Sequence, residues 1–273
     1  MLASLPELYR DWLSYLSHRQ SDQTVQIYGH WVGRFISHIQ SIHQKPPTTS
    51  EIEKYITQSL IHRKNSTVNV QIAAIKSFYR WIESLNLGIE NAARSIKALK
   101  TTPSESRFIT SDEYEQILLV TKNRPNLHSA IQFLGNTGLR ETEFRSLTWA
   151  CFNADSTFVR IIGKGRKKRH VPLNDTCRQL LADKSNSHRP DFVQPFLRAG
   201  NFWSACQAIA QRARIEPFGS HALRHFFATR LIKAGVPLSI VSRILGHSST
   251  AITERVYVHL LIDDLQVTDC LEF

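Results

Sequence analysis

The stretch Thr157-Phe-Val-Arg-Ile-Ile-Gly-Lys-Gly-Arg-Lys-Lys-Arg-His-Val-Pro-Leu173 breaks the texture of an otherwise helical sequence. Thr157 to Ile162 is β-branched and aromatic, Gly163 to Lys168 is a turn of glycines and cations, and Arg169 to Leu173 is extended again. That order predicts a β-hairpin with a cationic tip. It is not a Walker-type phosphate loop, because Gly165 follows Lys164 and a strand, not a helix, comes next. The tip reads either as a contact to a DNA backbone or as a device that delivers Lys164 into a site. The flanking glycines let Lys164 approach another backbone closely. Taken singly, Arg166, Lys167, Lys168 and Arg169 also read as a solvated charge run.

Outward from the hairpin, apolar residues recur at helical spacing. Helices are expected over 5–17, 24–42, 51–62 and 66–85, with Ser50 as N-cap of the third and Glu53 completing a capping box. Lys45-Pro46-Pro47 ends the second. Further helices are expected over 111–121, 127–136 and 140–147, then over 175–183, 200–214, 220–234 and 238–245 beyond the hairpin. Gly235 and Gly246 fall at C-cap positions. The predicted fold is mainly α with a small β-hairpin. A helical bundle covers 1–97, a polar linker 98–107, and a second α-rich domain 108–273. The latter ends in an acidic, apolar tail over 263–273 that holds no Lys or Arg.

The chain has 273 residues, 34 Lys plus Arg against 23 Asp plus Glu, and a net charge of +11. This balance favours a polyanionic partner, either nucleic acid or an anionic membrane surface. Membrane binding loses ground because the cations are not gathered on one amphipathic helix. No run approaches the roughly 18–20 apolar residues of a membrane span, and the first ten residues have no signal-peptide pattern. A cytoplasmic protein is expected. Cys151, Cys177, Cys206 and Cys270 are widely spaced and read as reduced thiols, not zinc ligands. With no H-E-x-x-H and no close carboxylate cluster, neither a metal nor a cofactor is expected.

The chemistry-bearing residues gather late in the chain. His221 and Arg224 are three apart on an expected helix and share a face. His225 lies on nearly the same face, so spacing does not choose between the two histidines. His247 follows Leu245-Gly246, and Tyr257 stands in Thr253-Glu-Arg-Val-Tyr-Val-His259. Upstream, Arg140 follows Thr137-Gly138-Leu139, with Glu143 three residues on. Alone, Arg140 and Glu143 read as a surface ion pair worth roughly 0.2–0.5 kcal/mol, and Tyr257 as a packing residue. Together the set suits metal-free work on a phosphodiester. Arg and His donors stabilise charge on the phosphoryl oxygens, a general acid protonates the leaving oxygen, and a tyrosine hydroxyl can be the nucleophile.

In this order and spacing, Thr137–Glu143, Ile162–Leu173, His221–Thr229, Leu245–Ser249 and Glu254–His259 resemble the tyrosine recombinase family, the phage-type integrases and their Xer-like members. The first hundred residues resemble that family's core-binding domain in architecture. The resemblance implies that Arg140 and Arg224 hold the non-bridging oxygens of a scissile phosphate and that Lys164 is general acid to the leaving 5′ oxygen. His221, in preference to His225, would help accept the tyrosine proton, His247 would hydrogen-bond the phosphate, and Tyr257 would form a 3′-phosphotyrosyl bond. Glu143 would support the site, and Arg166, Lys167, Lys168 and Arg169 would bind DNA. It further implies double-stranded DNA as partner, a tetramer on DNA exchanging strands through a four-way (Holliday) junction, and a tail that docks on a neighbouring subunit. The chain departs from many family members in one respect: His247 to Tyr257 is ten residues (257 − 247), one longer. A DNA-binding protein without cleavage shares the charge and the bundle, and a type IB topoisomerase shares the chemistry.

Overall fold

A computed structural model describes residues 4–42, 46–101, 107–163, 167–186, 201–247, 249–251, 253–254 and 256–257. The chain divides into two compact units, Met1–Ser104 and Glu105–Phe273.

The first unit is built from α1 (Leu5–Ser17), α2 (Asp22–Ile42), α3 (Thr49–Leu60) and α4 (Asn65–Ser84). Each helix turns an apolar stripe inward. Trp12, Phe35, Ile52, Phe78 and Tyr79 form the centre of the core, and Trp12 meets Phe78 edge-on at 5.4 Å. The start of α3 differs from expectation. Thr48, not Ser50, is the N-cap; its hydroxyl accepts from the Glu51 amide, and the Glu51 carboxylate accepts from the Thr48 amide at 2.7 Å. Two overlapping Ser/Thr-x-x-Glu frames were available, and Pro47, buried just ahead of Thr48, precedes the earlier one. Leu99, within the expected linker, packs against this core beside the buried Ile96. Asn69 grips the Leu99 backbone at both ends, at 2.7 and 2.9 Å.

The second unit contains α5 (Ser111–Thr121), α6 (Pro125–Thr137), α7 (Glu141–Arg145), β1 (Phe158–Ile162), β2 (Lys168–Pro172), α8 (Asp175–Asn186), α9 (Phe202–Ala213), α10 (Ser220–Lys233) and α11 (Leu238–Leu245). A 3₁₀ turn, Trp149–Cys151, precedes β1 and was not foreseen. β1 and β2 form the antiparallel hairpin, in register from Phe158↔Pro172 to Ile162↔Lys168. Val159, Ile161 and Val171 alternate into the core, as a half-buried strand requires. α10 packs on α6 and α11, and α11 also touches β2. Thus the late helices are brought against residues from the first half of the unit. Cys177 and Cys206 are free, buried thiols, pushed up to about 12 by burial. Among the described residues no helix is long and apolar enough to cross a membrane.

Candidate active site

The site is organised around the C-terminal end of α11. A helix ends with carbonyls that have no partner inside it, and with the negative pole of its dipole. Gly246 closes α11 in the left-handed region at φ 68°. Three guanidiniums then collect the freed carbonyls. Arg169 Nε donates to the Ile244 carbonyl at 2.8 Å. Arg224 Nη2 and Arg140 Nη1 both donate to the Leu245 carbonyl, at 2.6 and 3.4 Å. Arg140 Nη2 donates to the Gly246 carbonyl at 3.3 Å. A Cβ on Gly246 would stand 2.9 Å from Arg169 Cδ, so the glycine serves both the turn and the approach of Arg169.

Arg140 is the N-cap of α7, not its first residue, and its side chain is 36% exposed. Arg224 comes from the second turn of α10, is 6% exposed, and donates a second bond to the Gly138 carbonyl at 2.7 Å. Gly138 is itself the left-handed cap of α6, at φ 62°. Burial and the neighbouring Arg140 charge pull Arg224 down to about 9, so it remains a cation at neutral pH.

Glu143 is the carboxylate that balances this cluster. It is 7% exposed and takes both forks of Arg169 at 2.9 and 2.8 Å. It also accepts from the Arg140 side chain and the Arg140 amide, each at 2.9 Å. Burial alone would raise its pKa; the hydrogen bonds and charges of Arg169 and Arg140 outweigh that and hold it at about 2. The Arg140–Glu143 pair is therefore no isolated surface pair. Arg169 also departs from the DNA-facing reading: its side chain is 10% exposed and bound to Glu143 and α11. Lys167 and Lys168 are exposed. Lys164, Arg166 and the tail 263–273 lie outside the described residues.

The histidines differ in their partners. His221 lies near the start of α10, open to solvent on one side and partly screened on the other; that partial desolvation, then the Arg224 and Arg140 charges, lowers its pKa. His247 is half-buried, and its Nδ1 lies 2.8 Å from the Thr253 hydroxyl. Burial, then Arg224 and Arg140, bring it down to about 4. Both stand beside the arginines that converge on α11. His225 lies close to both, with His221, His247 and Arg224 near it, but differs in its hydrogen bond: its Nδ1 is 2.6 Å from the Tyr257 hydroxyl.

Tyr257 is 1% exposed and packs with Ala228, Ile232, Val241 and Leu245. Among the described residues after His247, Thr250, Ala251, Thr253, Glu254, Val256 and Tyr257 are helical. Phe108 packs against both rings, 5.3 Å from His225 and 6.3 Å from Tyr257. Burial pushes the Tyr257 phenol up, and the Arg224 charge opposes that. Sequence reasoning missed Thr253 and the roles of the Gly138, Leu245 and Gly246 carbonyls. Backbone acceptors carry no residue signature, and Thr253 reads as an ordinary helix residue.

Residues 107–263 match the phage integrase family, and residues 8–89 match its N-terminal SAM-like domain. The chain belongs to the phage integrase family. It is a site-specific tyrosine recombinase of the Xer type. The tyrosine recombinase XerD of Halalkalibacterium halodurans is 26% identical over 88% of this chain and 88% of its own. XerD of Listeria monocytogenes is 30% identical over 69% of this chain and 70% of its own. In fold, the recombinase is similar to a lambda integrase dimer bound to a core site, at TM-score 0.72 and 18% identity over 92% of this chain and 97% of that one. It is also similar to the XerH recombinase bound to its difH substrate, at TM-score 0.69 and 18% identity over 94% and 81%.

Proposed function

We propose that Arg140 and Arg224 form the cradle for the scissile phosphate of double-stranded DNA and that Tyr257 is the nucleophile. The observation that carries this is the convergence of both guanidiniums on one carbonyl, that of Leu245. An arginine has five N–H donors; three of Arg140's bonds go to Glu143, Leu245 and Gly246. The remaining donors of a partly exposed, pre-oriented fork suit a phosphoryl oxygen, and their charge is in place before the transition state forms. His247, fixed at Nδ1 by Thr253, offers its other nitrogen to the same phosphate, and His221 stands with it.

Tyr257 attacks phosphorus, the bond to the 5′ oxygen breaks, and Lys164 protonates that oxygen. The phosphodiester is kept as a 3′-phosphotyrosyl bond, and a 5′ hydroxyl from the exchanging strand reverses the step. Both units bind the duplex, and four copies exchange strands in pairs through a four-way junction, in the cytoplasm. With a net charge of +11, affinity falls steeply with salt as counterions are released. Because Tyr257 is 1% exposed, its ring is uncovered before a phosphodiester reaches it.

The test is a nicked suicide duplex in EDTA. The unaltered chain gives an SDS-resistant protein–DNA adduct and Tyr257→Phe gives none. Binding without an adduct would establish a DNA-binding protein that does not cleave. Supercoil relaxation without recombinant products would establish a topoisomerase.

A further inference from the structure

The Tyr257 hydroxyl has a partner that the sequence comparison of the two histidines passed over. His225 Nδ1 lies 2.6 Å from it, within the range of a short O–H···N bond. Phe108 packs against both rings and holds the pair together. His221, one helical turn earlier on α10, is exposed, and the charges acting on it are those of Arg224, Arg140 and Glu141. The two imidazoles therefore serve different ends of the reaction: one is among the phosphate-facing cations, the other is on the nucleophile.

We propose that His225 is the proton acceptor for Tyr257 in strand cleavage. The inference rests on Tyr257 being the nucleophile. As the phenolic oxygen bonds to phosphorus, the Tyr257 O–H bond breaks and its proton passes to His225 Nδ1. The P–O5′ bond breaks, and the 5′ oxygen leaves as an alcohol with the proton of the general acid. In rejoining, Tyr257 is the leaving group and recovers its proton from His225. The donors and acceptors balance over the cycle.

The surroundings of His225 support this direction of transfer. Those facing it are His221 and Arg224 on α10, His247 beyond α11, Tyr257 near the end of the described chain, and Phe108 ahead of α5. Burial, then the two α10 neighbours, lower its pKa to about 4, so it is neutral at physiological pH and has a nitrogen lone pair to offer. The phenol, raised by burial, does not ionise unaided at that pH. Its proton leaves only as the bond to phosphorus forms, which is the situation in which a positioned base accelerates attack.

Two variants separate a base from a packing residue. His225→Phe keeps a ring against Phe108; His225→Asn keeps a polar atom near the Nδ1 position but takes no proton. With the full chain on the nicked suicide duplex, both are expected to slow adduct formation by about 10²–10⁴-fold while binding the duplex as before. A 5′-bridging phosphorothiolate, whose thiolate leaves unprotonated, should restore Lys164→Ala and leave both His225 variants slow. Adduct formation within threefold of the unaltered chain by His225→Asn, or restoration of either His225 variant by the phosphorothiolate, would overturn the proposal. No adduct from the unaltered chain would instead overturn Tyr257 as nucleophile, and this inference with it.

Discussion

At the end of α11 three guanidiniums rest on backbone carbonyls, whereas the Tyr257 hydroxyl rests on a single side-chain atom, His225 Nδ1. The first arrangement is tied into α6, α7, α10 and β2, and a buried carboxylate balances it. The second is a single polar contact on a ring otherwise packed among Ala228, Ile232, Val241, Leu245 and Phe108. The difference teaches that the anion cradle is built in advance, where preorganisation has most value. The nucleophile is held instead by apolar packing and by one polar contact, the one to His225.

This contrast can be broken most severely at Arg224. Arg224→Ala leaves the Gly138 carbonyl unpaired in the core, leaves the Leu245 carbonyl to Arg140 alone, and removes one phosphate fork. Adduct formation should fall by about 10³-fold or more, and stability by about 2–4 kcal/mol, checked by denaturant unfolding. In its effect on cleavage Glu143→Gln should come next, although its cost in stability is the larger. It strips the counter-charge from Arg169 and Arg140 at a cost of about 3–5 kcal/mol, the usual penalty for breaking a buried ion pair.

The pH dependence of unfolding sharpens the same point. Glu143 titrates at about 2 in the folded chain and in the ordinary carboxylate range when unfolded, so the unfolded chain takes up the proton first. The contribution of Glu143 is complete above the unfolded value and is lost as pH falls towards 2. Glu143→Gln should remove that part of the acid-unfolding profile. Loss of the whole profile in this one variant would show that no other carboxylate contributes.

Gly246→Ala should cost about 1–3 kcal/mol, through the left-handed backbone and the contact with Arg169. Its effect on cleavage should exceed its effect on duplex binding, because it displaces the carbonyls that aim the arginines. Thr253→Val should be the mildest. It removes the partner of His247 Nδ1 and should slow adduct formation by about tenfold with little change in melting temperature.

Much of this was legible in the sequence wherever the cause is local. α1, α5 and α11 begin and end where their apolar period and caps place them. The hairpin follows from β-branched runs around a glycine turn. The candidate residues Arg140, Glu143, Arg224 and His247 could be named from motifs, and they stand together in one cluster. What stayed hidden depends on contacts remote in sequence. Arg169 reads as one more cation in a basic run until the fold sets it against Ile244, 75 residues away, and Glu143, 26 away. His221 and His225 share a helix face, and only the packing of Phe108 and Tyr257 separates their surroundings.

The use of main-chain oxygens at the end of α11 has a bearing on how such a site tolerates mutation. Every residue that keeps the helix presents the same carbonyl, so the side chains at 244 and 245 are free to answer to the core beneath them. Ile244 and Leu245 can be exchanged for other apolar residues without rewriting what the arginines hold, while the single position that sets the bend, Gly246, cannot. Catalytic alignment is thereby uncoupled from most of the lettering of the segment that provides it, and the burden falls on one glycine.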